Sequence, residues 1–368
     1  MNRLSVVLIL VLILSPGCKK SANNPVWEKS YGIGNAMFVK ATADSGLISC
    51  GEIGGKPYLV KLDRNKNKIS EYKSAEEGSF SSVWCNKDIS IAAGSSKGKM
   101  LITCLDNESK ILWDTTFSSS YYMDFSSVCY LGNGELLAVG SASPDSANSA
   151  VSGLYLVWFD TSGSITDKKE IKESSFISAN RIITDNTGNI YLALTRKYYG
   201  SKSKATVAKY NSLLQKIWET ELYNNPGFGA SSLGIWLDNS GNIYVSGKTE
   251  LSVASVTVDN SFAMSLTNSG SVRWKKYLEN SNSGPSVIID GTGQVLMLNH
   301  NCFIINILSP IDGSSTGIIR AFDACDSKNT DAFGNDFDIN YDGNLIMAGL
   351  KGGGFYLILK PFVAQPVL

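Results

Sequence analysis

The chain has 368 residues, and its 33 Lys and Arg residues are balanced by 33 Asp and Glu residues. A chain with no net charge lacks the basic field that nucleic acids and anionic lipid surfaces attract, so we expect no nucleic-acid partner. The content of 43% hydrophobic and 10% aromatic residues excludes a disordered chain. These values indicate a globular protein with a large buried core.

The first residues of the chain have the composition of an export signal. Arg3 precedes an apolar run from Leu4 to Leu14, and this run of 11 residues ends before Ser15-Pro16-Gly17-Cys18. A bilayer-spanning helix needs about 20 apolar residues, so the run is too short to be a permanent anchor. We predict that residues 1–17 form a signal peptide. Their removal leaves 32 basic and 33 acidic residues, a net charge of −1.

The residues around Cys18 resemble the signal of bacterial lipoproteins, in which a Cys directly after a small residue is diacylated and begins the mature chain. The resemblance implies a lipid anchor on Cys18, a polar tether over residues 18–25 and a location in the cell envelope, on the periplasmic side of the outer membrane or at the cell surface. The alternative is an ordinary cleaved signal in which Cys18 has no such role.

A short apolar strand that ends at or near a glycine recurs along the rest of the chain. The copies end at positions 51, 94, 140, 194, 247, 299 and 349, which are 43 to 54 residues apart. An Asx–Gly turn such as residues 185–188 precedes most copies, and a second apolar run, a polar turn and another strand follow them. Four short strands joined by polar turns make one blade of a β-propeller.

The repeat predicts an all-β fold, with residues 26–368 forming one seven-bladed β-propeller of four-stranded antiparallel blades. The seventh repeat lacks a fourth strand after residues 355–362, whereas residues 26–31 form an unpaired strand near the start of the mature chain. We predict that Val26–Tyr31 joins the last blade and closes the ring. This closure would leave no exposed radial sheet edge.

Three of the predicted fourth strands contain a tryptophan, namely Trp113, Trp218 and Trp274. With the turns before them, they resemble the tryptophan-docking repeats of quinoprotein-type and WD40-like propellers, in which the Trp packs on the neighbouring blade. The resemblance extends to bacterial lipoproteins such as the accessory subunit of the outer-membrane β-barrel assembly machine. It implies fold and compartment but no enzymatic activity. Nothing in the chain resembles the quinone-binding and calcium-binding residues of the dehydrogenases, so we expect no cofactor.

Candidate catalytic and metal-binding residues are few. His300 is the only histidine and lies in the predicted turn 299–302, without a nucleophile motif, so we assign it no catalytic role. Residues 338–343 fit the opening of a calcium-binding loop, but Gly349 stands where the loop needs a bidentate Glu. We therefore favour a capped turn there and expect no metal site.

Six cysteines remain after Cys18, and export would allow them to oxidise. In an antiparallel blade the start of the third strand and the end of the fourth strand lie at the same end. This placement makes Cys302 and Cys325 a candidate disulfide. The other four, Cys50, Cys85, Cys104 and Cys129, fall on predicted strands, where they would be small buried apolar residues.

The longest predicted connections all lie on one face of a propeller. They cover residues 118–127, 141–153, 195–205, 248–261 and 322–336. They are rich in Ser, Asn and Gly and carry four tyrosines, Tyr121, Tyr122, Tyr198 and Tyr199. Aromatic side chains among adaptable polar ones suit a protein or glycan partner.

Phe228 is a further candidate for this long-loop face. It also belongs to a series of phenylalanines that recurs once per repeat before the predicted innermost strand, and this recurrence favours packing between blades. The members are Phe80, Phe125, Phe176, Phe228 and Phe333.

The sequence thus predicts a non-catalytic, lipid-anchored scaffold that binds protein or glycan through its long-loop face, as a monomer or as part of an envelope complex. One alternative is a polysaccharide hydrolase or lyase with Asp336 and Asp338 at the channel mouth. Another alternative is an accessory subunit of an outer-membrane assembly complex. Two or more acids that meet within about 5–9 Å in one concave pocket, with raised pKa values, would favour the enzyme, whereas a broad, shallow, aromatic loop face would favour binding.

Overall fold

The structure, a computed structural model, describes residues 27–117, 122–132, 134–143, 153–172, 176–197, 201–223, 229–253, 256–278, 283–301, 303–322 and 331–362. These residues form 27 β-strands and no helix, which confirms the all-β prediction. No described segment is therefore a helix that could cross a membrane.

The strands form five four-stranded antiparallel sheets and one seven-stranded antiparallel sheet. The seven-stranded sheet contains two four-stranded units that share β1, so the sheets comprise seven units in chain order. The strands of units one to three are β1 (Trp27–Ala41), β2 (Leu47–Ile53), β3 (Pro57–Leu62), β4 (Lys68–Lys73), β5 (Gly78–Cys85), β6 (Ile89–Ser96), β7 (Lys99–Asp106), β8 (Ile111–Phe117), β9 (Tyr122–Gly132), β10 (Glu135–Ser143), β11 (Gly153–Asp160) and β12 (Ile165–Lys172).

Units four to seven continue the same pattern, and the last of them takes the first half of β1 as its fourth strand. Their strands are β13 (Phe176–Thr184), β14 (Ile190–Lys197), β15 (Lys204–Tyr210), β16 (Lys216–Glu221), β17 (Gly229–Leu237), β18 (Ile243–Val253), β19 (Val256–Leu266), β20 (Val272–Leu278), β21 (Ser283–Ile289), β22 (Val295–Asn299), β23 (Ile304–Leu308), β24 (Ser315–Arg320), β25 (Ala332–Ile339), β26 (Asn344–Lys351) and β27 (Gly354–Pro361).

Strand β1 connects the two ends of the chain. Its first residues pair antiparallel with β27, from Trp27 opposite Leu359 to Ser30 opposite Tyr356. The structure thus contains the predicted pairing of the first and last strands, although Val26 lies outside the described residues. The sequence did not indicate that the same strand continues into unit one, where it pairs with β2. Gly34 permits this passage, because a Cβ at Gly34 would overlap the Glu52 carbonyl oxygen.

A β-bulge interrupts the first strand of each unit, which we call the innermost strand. The register shifts between Phe80 and Ser82 in β5 and at the equivalent place in five other units. In unit six the irregular stretch is longer, from Ser283 to Val287. An extra residue at a bulge bends the strand and pushes its backbone out of the regular ladder. Every innermost strand is therefore kinked near its middle.

The recurring glycine of the sequence repeat lies opposite this bulge. A Cβ at Gly94 would overlap the carbonyl oxygen of Ser79, and a Cβ at Gly349 would overlap that of Phe333. The same overlap with a carbonyl oxygen of the innermost strand would occur at Gly51, Gly140 and Gly247. Glycine recurs there because the kinked strand leaves no space for a side chain.

The three tryptophans of the fourth strands pack on the next unit, as predicted. Each indole Nε1 donates a hydrogen bond to a carbonyl oxygen in the turn between the third and fourth strands of that unit. The ring also lies against a glycine of the same turn, for example Trp113 against Gly163. The acceptors of Trp113, Trp218 and Trp274 are Thr161, Asn268 and Pro310, at 3.0, 2.9 and 2.9 Å.

The phenylalanine series differs from its predicted place. Phe80 and Phe125 lie within the innermost strands and not before them, because these strands begin earlier than their apolar pattern suggests. Both rings are fully buried, and Phe80 packs with Ile48 and Leu59 of unit one, which confirms that it packs between units. Phe176 and Phe333 also fall within strands, and Phe228 lies outside the described residues.

Two predicted long loops are wrong. Residues 122–127 of the predicted loop 118–127 lie in β9. Residues 248–261 mostly extend β18 and β19 into a longer hairpin, with pairs that continue to Val253 opposite Val256. Valine and threonine recur through this segment, and β-branched residues favour the extended strand over an irregular loop. The long-loop face therefore carries a hairpin at unit five.

We predict that Gly94→Ala lowers the free energy of unfolding by about 2–3 kcal/mol, because the new methyl group forces the backbone of β5 away from β6. The matched control is Gly291→Ala, since a Cβ at Gly291 meets no atom within 4 Å. Its effect should stay within about 0.5 kcal/mol. Chemical denaturation of both variants measures the difference, and equal effects would contradict this account of the glycine repeat.

Candidate functional site

The innermost strands of all seven units surround one cavity of about 570 Å³. Its lining includes residues of β1, β5, β9, β13, β17, β21 and β25. Cavities of roughly 300–1,000 Å³ commonly hold small ligands or the end of a longer one. The size and the central position make this cavity the candidate site.

The hydrogen-bond registers sort the lining into layers, because side chains alternate along a strand. We call the first residue after each bulge the floor layer and the third residue the wall layer. The second residue is buried between the units in all seven strands. The floor layer is Phe38, Ser82, Ser127, Arg181, Gly234, Ser286 and Asp336. The wall layer is Lys40, Trp84, Cys129, Ile183, Trp236, Ile288 and Asp338.

The cavity opens at the ends of the innermost strands, toward the short turns that follow them. Thr42, Asp44, Lys87 and Tyr341 of these turns contribute to its rim. This short-turn face is opposite to the long-loop face of the sequence analysis. The predicted binding residues Tyr121, Tyr122, Tyr198, Tyr199 and Phe228 lie outside the described residues, apart from the backbone of Tyr122 in β9.

An ion pair joins units four and seven at the floor. Arg181 Nη2 donates to Asp336 Oδ1 at 3.0 Å, and the two side chains are 15% and 4% exposed. Asp336 Oδ2 accepts a hydrogen bond from the Val39 backbone N–H at 3.1 Å. Burial raises the pKa of Asp336, and the adjacent Arg181 opposes this effect only in part. Both carboxylate oxygens of Asp336 are therefore occupied.

A second ion pair lies on the wall. Lys40 Nζ is 2.9 Å from Asp338 Oδ2, which also accepts a hydrogen bond from the Ala41 N–H at 3.0 Å. Burial opposes the charge of Lys40, but Asp338 outweighs it and raises the pKa of Lys40. The structure thus brings Asp336 and Asp338 into one cavity, as the enzyme alternative requires, and binds both of them to basic groups.

Aromatic side chains occupy much of the remaining lining. Trp84 stacks on Tyr130 of the next unit, with ring centroids 5.0 Å apart and an interplanar angle of 15°. Tyr130 is 40% exposed and Tyr341 is 74% exposed at the rim. Trp236 contributes a half-buried ring from unit five. These rings offer flat apolar surfaces that a ligand can cover.

Sequence reasoning named the two carboxylates but missed Arg181, Trp84 and Trp236. A signal for them exists in the sequence. Trp84 and Trp236 directly follow the buried aliphatic residue of their strand, and Arg181 directly precedes it. An alignment of the seven innermost strands therefore puts Trp84 and Trp236 in one column. The position of the bulge, which sets this alignment, is not visible in the apolar pattern.

His300 has a structural position away from the cavity. Its Nδ1 lies 2.9 Å from the Gly334 carbonyl oxygen, and its ring stacks on Phe333 with centroids 5.1 Å apart. Burial lowers the pKa of His300. The side chain joins the turn of unit six to the innermost strand of unit seven.

Residues 338–343 form a capped turn, as the sequence analysis favoured. Asn340 Oδ1 accepts hydrogen bonds from the N–H groups of Asp342 and Asn344. The Asp342 carboxylate pairs with Arg64 at 2.6 Å, and Asp338 pairs with Lys40. Within the described ranges, no group of three or more His, Cys, Asp or Glu side chains is placed to hold a metal ion.

The cysteines that the structure describes are unpaired thiols, namely Cys50, Cys85, Cys104 and Cys129. Burial raises the pKa of Cys104 to about 11 and that of Cys129 to about 12, so both remain protonated at neutral pH. Cys18 and the predicted disulfide partners Cys302 and Cys325 lie outside the described residues.

The fold is similar to that of the polysaccharide lyase Uly1, with a TM-score of 0.57 and 9% identity over 94% of this chain and 93% of that chain. Two other solved structures have TM-scores below 0.5. They are KlHsv2 with loop 6CD replaced by a Gly-Ser linker (0.49, 9% identity, 89% of this chain and 98% of that chain) and a protein of unknown function from Bacteroides caccae (0.46, 15% identity, 72% and 84%).

No family model and no curated protein matches the sequence. At such low identities the likeness to Uly1 establishes a shared propeller-like fold with repeated four-stranded sheets, and nothing about activity.

We predict that Asp336→Ala lowers the free energy of unfolding by about 3–5 kcal/mol, because it leaves the Arg181 charge and the Val39 N–H buried without their partner. Asp342→Ala is the control, since it removes the exposed pair with Arg64 and should cost less than about 1 kcal/mol. Denaturant titration compares the two variants. A small loss for Asp336→Ala would mean that the floor ion pair does not hold units four and seven together.

Proposed function

We propose that the seven units form a closed seven-bladed ring whose central cavity binds a glycan without transforming it. Three observations support the ring. Each unit contributes its innermost strand to the same cavity, the Trp rings join successive units, and β1 pairs with both β2 and β27. A closed ring holds the wall layer in a fixed arrangement, which reduces the ordering cost of binding.

The aromatic lining is the observation that carries the choice of a glycan. Pyranose rings present C–H faces that pack on the electron-rich faces of Trp and Tyr. The stacked pair of Trp84 and Tyr130, with Trp236 on another side and Tyr341 at the rim, supplies such faces around a concave opening. Lys61 and Asn86 of the same lining add hydrogen-bonding groups for hydroxyls.

The occupied carboxylates favour binding over catalysis. A general acid or base must have a free oxygen within reach of the substrate. Asp336 uses its oxygens for Arg181 and Val39. Asp338 Oδ2 is bound by Lys40 and Ala41, and its Oδ1 accepts a hydrogen bond from the Ile339 N–H. These contacts give both residues a structural role in the ring.

A polysaccharide hydrolase or lyase is the second candidate. The raised pKa of Asp336 inside the cavity favours it, because a catalytic acid requires such a shift. The lyase Uly1 has a similar fold and acts on a polysaccharide, so the fold is compatible with this substrate class. The alternative of an accessory subunit in an envelope assembly complex depends on the resemblance of the repeats alone.

We also propose that a lipid on Cys18 tethers the protein to the cell envelope. Trp27 lies opposite Leu359, near the end of β27. This end of β27 pairs with the start of β26, which follows the short turn after β25. The tether therefore enters the fold on the short-turn face, beside the cavity opening. The nine residue steps from Cys18 to Trp27 span at most about 32 Å, so the opening would stay near the membrane.

We predict that Tyr341→Ala and Trp84→Ala each weaken binding of glucose or galacturonate tetrasaccharides by about tenfold, since each removes an aromatic face of the cavity. Isothermal titration calorimetry measures the affinities, and chromatography of the incubated sugars reveals any cleavage. Tyr277→Ala is the control, because Tyr277 is a half-exposed ring on the outer strand β20.

Three results would contradict this proposal. Unchanged affinity in both cavity variants would exclude the cavity as the site. Loss of binding in a Tyr198→Ala, Tyr199→Ala double variant would instead place the site on the long-loop face. Cleavage of either tetrasaccharide would support the enzyme.

For the anchor, we predict that a Cys18→Ser variant moves from the membrane fraction to the soluble fraction of the cell envelope, because the thiol that would carry the lipid is absent. Cys104→Ser, a change at a buried free thiol, should leave the distribution unchanged. Fractionation followed by immunoblotting measures both. A membrane-bound Cys18→Ser variant would refute the lipid anchor.

A further inference from the structure

Arg181 is held in a fixed orientation with part of its hydrogen-bonding capacity unused. Its Nη2 binds Asp336, and its guanidinium carbon lies 4.7 Å from the centroid of the Phe38 ring. A guanidinium group carries five N–H donors. Within the part of the chain that the structure describes, Nε and Nη1 of Arg181 have no protein acceptor. The floor of the cavity thus presents unpaired, preoriented donors.

The surroundings of Arg181 strengthen an interaction with an anion. The wall above it includes Ile183, Trp236 and Ile288, which lower the local polarity and therefore weaken competition from water. A planar, weakly hydrated guanidinium binds carboxylates and sulfates through two parallel hydrogen bonds, which a lysine does not provide.

The net charge of the cavity lining also favours an anionic ligand. Among the described lining residues, four are basic and three are acidic, which leaves one net positive charge. The acid nearest to Arg181 is Asp336, whose oxygens are occupied, and Asp338 is neutralised by Lys40. Lys87 is exposed at the rim, where its Nζ lies 3.9 Å from the exposed carboxylate of Asp88.

We infer that the cavity binds an acidic glycan and that Arg181 recognises its carboxylate or sulfate group at the floor. This inference rests on the proposed glycan-binding function and adds the substrate class. The sugar ring lies along the aromatic wall, and its anionic substituent accepts two parallel hydrogen bonds from one edge of the Arg181 guanidinium, formed by the second N–H of Nη2 together with either Nη1 or Nε. Asp336 and Phe38 are positioning residues, because they fix the guanidinium plane without contact to the ligand.

The test uses the full mature chain and four matched tetrasaccharides, made of galacturonic acid, its methyl ester, glucose and sulfated glucose. The methyl ester removes the charge of the galacturonate and keeps its shape. We expect the wild type to bind galacturonate or sulfated glucose about tenfold or more tightly than the corresponding neutral sugar. The two acidic sugars distinguish a carboxylate from a sulfate as the recognised group.

Two variants separate recognition from folding. Arg181→Lys keeps a cation beside Asp336 and removes the planar fork, whereas the double variant Arg181→Met, Asp336→Asn removes both buried charges together. Both should lose the preference for acidic sugars over neutral ones. Thermal unfolding checks that each variant is folded before its affinities are compared.

The outcomes distinguish this inference from the function on which it rests. Equal binding of acidic and neutral sugars by the wild type would overturn the inference and leave glycan binding intact. A preference for acidic over neutral sugars that persists in the double variant would also overturn the inference, since another group would then bind the anion. Binding of none of the four sugars would refute both proposals.

Discussion

A close approach of two backbones, repeated in five of the seven units, determines much of the rest of the structure. The bulge of the innermost strand moves a carbonyl oxygen to where a side chain of the second strand would stand, so glycine is required there in five units. The kink also fixes which residues of the innermost strand face the axis. The floor layer, the wall layer and the buried residue between them follow from this single irregularity, and so does the shape of the cavity.

The sequence was sufficient to predict what depends on local chemistry. Asx–Gly turns, apolar strands and docking tryptophans all occur where their pattern indicated, and the pairing of the first and last strands followed from a missing strand. It was insufficient for features that depend on register. Whether Arg181 or Ile182 faces the axis depends on a bulge at Asn180, which leaves no trace in a pattern of period two. The continuation of β1 was missed for the same reason, since Gly34 resembles any loop glycine.

The charged residues of the cavity are better explained as structural contacts between units than as catalytic groups. Arg181 and Asp336 join units four and seven, which are far apart in the chain, and Lys40 and Asp338 join the first unit to the last. Buried ion pairs contribute little net stability but strongly disfavour arrangements in which they are broken. Placed between units that are distant in the chain, they specify how these units meet, and the unused donors of Arg181 remain for a ligand.

The double membership of β1 has a consequence for the order in which the protein can be assembled. Residues 27–33 precede their partner β27, which ends at Pro361, by most of the length of the chain. Six units can fold before β27 is available, while the leading segment remains an unpaired edge. The adjacent charged residues Glu28 and Lys29 suit this unpaired state, because charges at a free edge discourage pairing with other chains.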